Sequence, residues 1–202
     1  MRDGFVKVGA ATPDILVADC VHNREEIAKK VKEMAEAGTK VMAFPELCIT
    51  GYTCSDLFLQ DILLNGAKKA LVEIAKQTKE LDALVFVGVP LAVGGELYNV
   101  AAALNHGNIL GFTTKSFLPN YGEFYEMRQF RPGPKKAETI LFDGKEIPFG
   151  PQLLFVEKQM ANLIVSAEIC EDVWSPVPPS IEAAREGATV IVKCSASDET
   201  IG

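Results

Sequence analysis

Three polar residues stand far apart in the sequence, each just past the end of an apolar run. They are Glu46 in Phe-Pro-Glu-Leu, Lys115 in Thr-Lys-Ser-Phe-Leu-Pro and Cys170 in Ala-Glu-Ile-Cys-Glu-Asp-Val-Trp. Strand ends are where side chains from distant parts of a chain converge. A carboxylate, an ammonium and a thiol gathered there can carry covalent acyl chemistry on an amide. An unperturbed thiol titrates near about 8.5, so a nucleophilic cysteine needs a base or a positive field at neutral pH. Glu46 can take that proton and Lys115 can favour the thiolate. After attack, the lysine and the backbone N–H following the nucleophile can hold the oxyanion, an interaction worth about 3–4 kcal/mol in comparable sites.

Taken singly, each residue has a plainer reading. A lone Cys170 is first a small buried hydrophobe, Glu46 a solvated residue after a proline turn, and Lys115 a surface lysine ending a hairpin. The neighbours change the balance at Cys170, because Glu168, Glu171 and Asp172 are many carboxylates to set beside an inert thiol and would form a polar pocket. Cys20, Cys48, Cys54 and Cys194 have no such setting and read as packing or loop residues. The five cysteines are odd in number, form no C-x-x-C pair and accompany only His22 and His106. Neither a disulfide framework nor a zinc site is favoured.

The elements that must position these groups follow from periodicity. Residues 5–11 alternate like a half-buried strand, and 23–37 predict a helix through Ile27, Val31, Met34 and Ala35, capped by Asn23 with Glu26 and stopped by Gly38. A short strand at 41–44 is ended by Pro45, a second helix spans 60–81, and a buried strand follows at 83–89. Strands at 97–104 and 109–114 are joined by Asn105-His106-Gly107-Asn108, which is hairpin chemistry. Residues 116–136 hold five aromatics between prolines and glycines, a connection too long and apolar to be idle. Further strands are expected at 139–142, 152–156, 161–167 and 189–193, with a helix at 180–186. Mixed strands with intervening helices indicate an α/β protein whose helices cover sheet faces.

At 202 residues with 48% apolar content, the chain is expected to form one globular domain over 1–202 with a sizeable core. A net charge of −7 with scattered Lys and Arg gives no footprint for nucleic acid. No run approaches the roughly 18 apolar residues of a membrane span, and the start lacks a signal-peptide pattern, so a cytoplasmic location is the expectation. No terminal element follows residues 195–202, and the chain is expected to be part of something longer.

The blocks Phe-Pro-Glu-Leu-Cys-Ile-Thr-Gly-Tyr (44–52), Lys-Ser-Phe-Leu-Pro-Asn-Tyr-Gly-Glu-Phe-Tyr-Glu (115–126) and Ala-Glu-Ile-Cys-Glu-Asp-Val-Trp (167–174) resemble the signature blocks of the nitrilase, or carbon-nitrogen hydrolase, superfamily, in the family's order. Thr-Gly-Tyr-Thr-Cys-Ser-Asp-Leu-Phe (50–58), Arg-Gln-Phe-Arg-Pro-Gly (128–133), Cys-Glu-Asp-Val-Trp-Ser-Pro (170–176) and Ser-Ala-Ser (195–197) resemble its branch that forms the glutaminase domain of glutamine-dependent NAD synthetases. The resemblance implies an αββα four-layer sandwich, incomplete at its C-terminal end. Within it Glu46 would be the general base, Lys115 the oxyanion partner and Cys170 the nucleophile forming a glutamyl thioester. It implies that Glu123 contacts the lysine and orients substrate, that Tyr121 and Phe124 shape a glutamine pocket, and that Glu171 and Ser197, with Ser195 as a substitute, bind the substrate's α-groups.

No cofactor is implied for this domain. ATP, Mg and deamido-NAD are expected only for a C-terminal synthetase domain, whose Ser-Gly-Gly-x-Asp-Ser loop does not occur in the 202 residues. L-glutamine, that synthetase domain and further copies of the chain, as a homo-oligomer, are the expected partners, with neither nucleic acid nor membrane. A free-standing amidase or carbamoylase, and a catalytically silent assembly module, are the competing readings.

Overall fold

The computed structural model describes residues 4–197. Strands β1 (Val8–Ala10), β2 (Val41–Ala43), β3 (Leu84–Val93), β4 (Glu96–Asn105), β5 (Asn108–Thr114), β6 (Glu138–Phe142) and β7 (Lys145–Gly150) form one sheet in the order β1-β2-β3-β4-β5-β7-β6. Strands β8 (Phe155–Val156), β9 (Ile164–Ile169) and β10 (Val190–Cys194) form a second, in the order β10-β9-β8. Helices α1 (Cys20–Glu36) and α2 (Asp61–Gln77) pack on the first sheet, and α3 (Pro179–Arg185) packs on the second.

The layering follows from strand alternation. On β3, Val85, Val87 and Val89 join the core under α1 and α2, whereas Phe86 faces the second sheet. On β4, Val100, Ala102 and Leu104 do the former, and Ala101 and Ala103 the latter. A strand buried on both faces must read as a near-continuous apolar run, and β3 and β4 do. The second core joins Val41, Phe86, Ala101 and Ala103 to Val165, Ala167, Ile169 and Val192, giving four layers in the order helix, sheet, sheet, helix.

Several local expectations are corrected. The N-cap of α1 is Asp19, whose Oδ1 accepts from the Val21 and His22 N–H groups at 3.2 and 3.0 Å. Asn23 lies inside the helix, fully buried, where Nδ2 donates to the carbonyls of Leu16 and Ile49 and Oδ1 accepts the Leu16 N–H. A side chain that could cap its own helix instead ties down a loop brought near by the fold. The helix expected over 60–81 ends at Gln77, and residues 145–150, left outside the expected strands, form β7 against β6. The tip of that hairpin, Asp143-Gly144, takes positive φ at both residues (49° and 75°), as does His106-Gly107 between β4 and β5 (46° and 79°), the geometry of type I′ turns. Among the described residues no helix is long and apolar enough to cross a membrane.

Candidate active site

Glu46 is placed by the crossing of its own backbone over β3. After β2, residues 45–47 run across Gly88, where a Cβ would lie 2.3 Å from the Leu47 nitrogen, 2.4 Å from the Pro45 oxygen and 2.7 Å from the Glu46 carbonyl carbon. Only a glycine admits so close a backbone, and Leu47 completes the crossing at φ +51°. Lys115 follows β5 directly; its N–H donates to the Asn99 carbonyl on β4 at 2.9 Å, and its own carbonyl accepts from Gly133 N–H at 2.8 Å. Cys170 follows β9 at φ +45°, a left-handed conformation that disfavours a side chain and that turns the thiol off the end of the strand into a 3-10 turn (Cys170–Trp174).

The fold brings these groups into one buried cluster. Lys115 Nζ donates to Glu46 Oε1 at 2.7 Å and to Glu126 Oε1 at 2.6 Å, with all three side chains at least 95% buried. Asn99 Nδ2 donates to the same Glu46 oxygen at 2.7 Å, and Tyr52 Oη donates to Glu126 Oε1 at 2.6 Å. Ala196 links Glu46 to Cys170: its N–H donates to Glu46 Oε2 at 3.2 Å, and its carbonyl accepts from Cys170 Sγ at 3.9 Å. Asp172 fastens the lysine loop to the cysteine turn, Oδ1 accepting from Ser116 and Phe117 N–H at 2.9 Å each and Oδ2 from Ile169 N–H at 3.0 Å.

Electrostatics define the resting state. Burial pushes the Cys170 thiol upward and the Glu46 charge adds to this, outweighing contacts from Ser195, Lys115 and Ala196 that pull it down. The thiol therefore rests protonated and its activation requires a base. Burial disfavours the Lys115 ammonium, but Glu46 and Glu126 more than offset it, so the lysine titrates above its usual range and stays charged. Burial raises the Glu126 carboxyl against the opposing pull of Lys115. Asp172 is held up to about 6 by burial, despite its three backbone donors. In such a cluster a carboxylate oxygen can take the proton of the neighbouring thiol, and the ammonium held between the two buried carboxylates can meet a developing oxyanion.

The expected lysine-contacting glutamate is corrected by three residues. Glu126, not Glu123, is the buried glutamate seated on Lys115, because a 3-10 turn at Glu126–Arg128 carries it inward. Glu123 is exposed and lines a cavity of about 370 Å³ beside Glu126, walled also by Tyr52, Tyr125 and Arg128. Tyr121 is exposed, with Oη donating to Glu171 Oε2 at 2.9 Å. Phe124 stacks edge-on against both Tyr121 and Tyr52, at 6.0 and 6.2 Å between ring centres. Ser195 and Ser197 share a 2.8 Å hydroxyl contact on the segment that carries Ala196. Cys20, Cys48, Cys54 and Cys194 are buried free thiols, and no cluster able to hold a metal occurs among the described residues. Glu126 is visible as the second glutamate of Glu-Phe-Tyr-Glu, and Asn99 as the polar interruption of the apolar run between Leu97 and Leu104.

Residues 7–201 match the family model described as carbon-nitrogen hydrolase. A glutamine-dependent NAD(+) synthetase of Mycobacterium leprae is 39% identical over 98% of this chain and 29% of its own length. That of Thermotoga maritima is 32% identical over 98% and 31%. The crystal structure of a glutamine-dependent NAD(+) synthetase from Cytophaga hutchinsonii superposes with a TM-score of 0.85 at 32% identity, over 98% of this chain and 31% of that one. An amidase from Nesterenkonia sp. shares the fold, with a TM-score of 0.71 at 23% identity over 99% and 69%. The chain thus spans about 30% of the length of the curated relatives it matches.

Proposed function

The chain belongs to the carbon-nitrogen hydrolase family, and we propose that it hydrolyses the side-chain amide of L-glutamine through a thioester on Cys170. The observation that carries the mechanism is Ala196, whose N–H meets Glu46 Oε2 and whose carbonyl meets Cys170 Sγ while Lys115 holds the other carboxylate oxygen. Glu46 takes the thiol proton as the C–S bond forms, and Lys115 meets the charge on the amide oxygen. The tetrahedral intermediate collapses with cleavage of the C–N bond, and the proton on Glu46 passes to the leaving nitrogen, which departs as ammonia. Water then gives a proton to Glu46 and attacks the thioester, and glutamate leaves as that proton returns to sulfur.

Glutamine as substrate is supported by the likeness to glutamine-dependent NAD(+) synthetases and by groups suited to an amino acid. In this reading Tyr121 and Phe124 wall the pocket, Glu171, oriented by the Tyr121 hydroxyl, takes the α-ammonium, and Ser197 or Ser195 binds the α-carboxylate. Glu123 acts at the rim. The ammonia passes to an ATP-dependent synthetase domain that amidates deamido-NAD, and ATP and Mg belong to that domain.

The test is intact mass after treatment with a glutamine-mimicking diazoketone, alongside glutamate release. A single adduct that needs Cys170 and is suppressed by excess glutamine is the expected result. No adduct and no glutamate from the folded protein would remove glutamine as the substrate.

A further inference from the structure

Asn99 is the polar break in β4, and it contacts both partners of the central ion pair. Its carbonyl accepts the Lys115 N–H at 2.9 Å, and its Nδ2 donates at 2.7 Å to Glu46 Oε1, the oxygen that Lys115 Nζ also reaches. Glu46 Oε2 lies on the other side, against the Ala196 N–H whose own carbonyl receives Cys170 Sγ. We infer that Asn99 is a positioning residue for the base: it pins Oε1 beside Lys115 so that Oε2 alone faces the thiol and, later, the attacking water. The inference rests on the proposed amide hydrolysis and adds to it a residue that sets which carboxylate oxygen does the proton transfer.

The physical need is plain. The two oxygens of a carboxylate are chemically equivalent, and an ammonium with three donors can draw either one. A second donor of fixed direction on Oε1 removes that freedom, and small errors in the placement of a base have large kinetic effects. Burial supplies an independent observation. Asn99 is 1% exposed, and its Oδ1 has no hydrogen-bond partner among the described residues. An unmet buried acceptor destabilises a fold, so an apolar side chain of similar size would suit β4 better on structural grounds alone. The amide is accounted for by what its nitrogen does to Glu46.

The experiment compares wild type with Asn99→Leu, which removes the donor at similar size, and the isosteric Asn99→Asp, which puts an acceptor against Oε1. Three quantities are read: glutamate release, the thermal midpoint, and the rate of Cys170 alkylation by iodoacetamide followed by peptide mass. Asn99→Leu is expected to keep or raise the midpoint and leave KM unchanged while kcat falls roughly 10- to 100-fold, the loss of one hydrogen bond to a charged group. Alkylation of Cys170 slows with it, and Asn99→Asp falls at least as far. Wild-type kcat in folded Asn99→Leu overturns the inference, as does a raised KM at unchanged kcat. Failure of both variants to fold would likewise overturn it, by making Asn99 a structural residue. If wild type itself releases no glutamate, the substrate reading fails separately, and the alkylation rates, which need no substrate, still decide the role of Asn99.

Discussion

Replacing Gly88 with alanine should disable the site from beneath, without touching any group that does chemistry. The added methyl would meet three backbone atoms at 2.3, 2.4 and 2.7 Å, where ordinary contact begins near 3.4 Å. No side chain can swing away to make room, so residues 45–47 must lift from β3 by about 1 Å. Flanking backbone bonds, Phe44 N–H to Phe86 O at 3.0 Å and Ile49 N–H to Gly88 O at 3.3 Å, resist the movement and concentrate it at Glu46. A shift of that size breaks the 2.7 Å contacts of Glu46 with Lys115 and Asn99. A misplacement of about 1 Å can reduce rate on the order of 100-fold, and overpacking of this kind destabilises by about 1–3 kcal/mol. Glutamate release with the thermal midpoint measured in parallel is the assay, each kcal/mol lowering the midpoint by roughly 2–4 °C in a domain of this size. Gly94→Ala is the control: it lies at a hairpin tip at φ +60° with nothing within 4 Å, and should lower the midpoint while sparing turnover. A folded Gly88→Ala protein turning over at the wild-type rate would mean that the crossing at Gly88 does not position Glu46.

Cys170→Ala should abolish glutamate release with the fold retained, and Cys170→Gly, equally inactive, should melt higher than the alanine variant because φ +45° suits glycine; equal midpoints would deny strain at the nucleophile. Lys115→Met leaves Glu46 and Glu126 buried without their cation, so most of the rate and about 3–5 kcal/mol of stability should be lost, as read by kinetics and chemical denaturation; an unperturbed variant would place the oxyanion partner elsewhere. The Asp172 carboxyl is raised in the folded state to about 6 from about 3.9 unfolded, so across that window the native state holds a proton the unfolded chain has released. Its contribution to stability therefore falls as pH rises from about 4 to 6 and is level above, by up to about 3 kcal/mol. Asp172→Asn should flatten this slope in denaturation series, and it should reduce kcat because an amide nitrogen would face backbone N–H donors; identical slopes would discount the buried carboxyl.

What could be read from the sequence was governed by short-range rules. The continuous apolar runs of β3 and β4, the helical spacing in α1 and α2, the Gly38 stop and the Asn105–Asn108 turn all follow from the preferences of neighbouring residues. The flanking residues of Glu46, Lys115 and Cys170 likewise marked them as chemically unusual wherever the chain might carry them. β7 was missed because Pro148 and Gly150 mask its alternation, and pairing with β6 and β5 restores it as a strand. Asn23 reads locally as a cap and is spent on a loop.

Most element types, the α/β class and the polar groups that stand past strand ends are legible in the sequence, since each depends on side-chain type and spacing along a few turns or strands. Only the three-dimensional packing sets which glutamate meets the lysine, which strand supplies the second donor to Glu46, and which glycine leaves room for residues 45–47 to cross. Those choices rest on contacts between residues 11 to 53 positions apart. A hydrogen bond forms at about 3 Å or not at all, and no local pattern carries distance between strands to that tolerance.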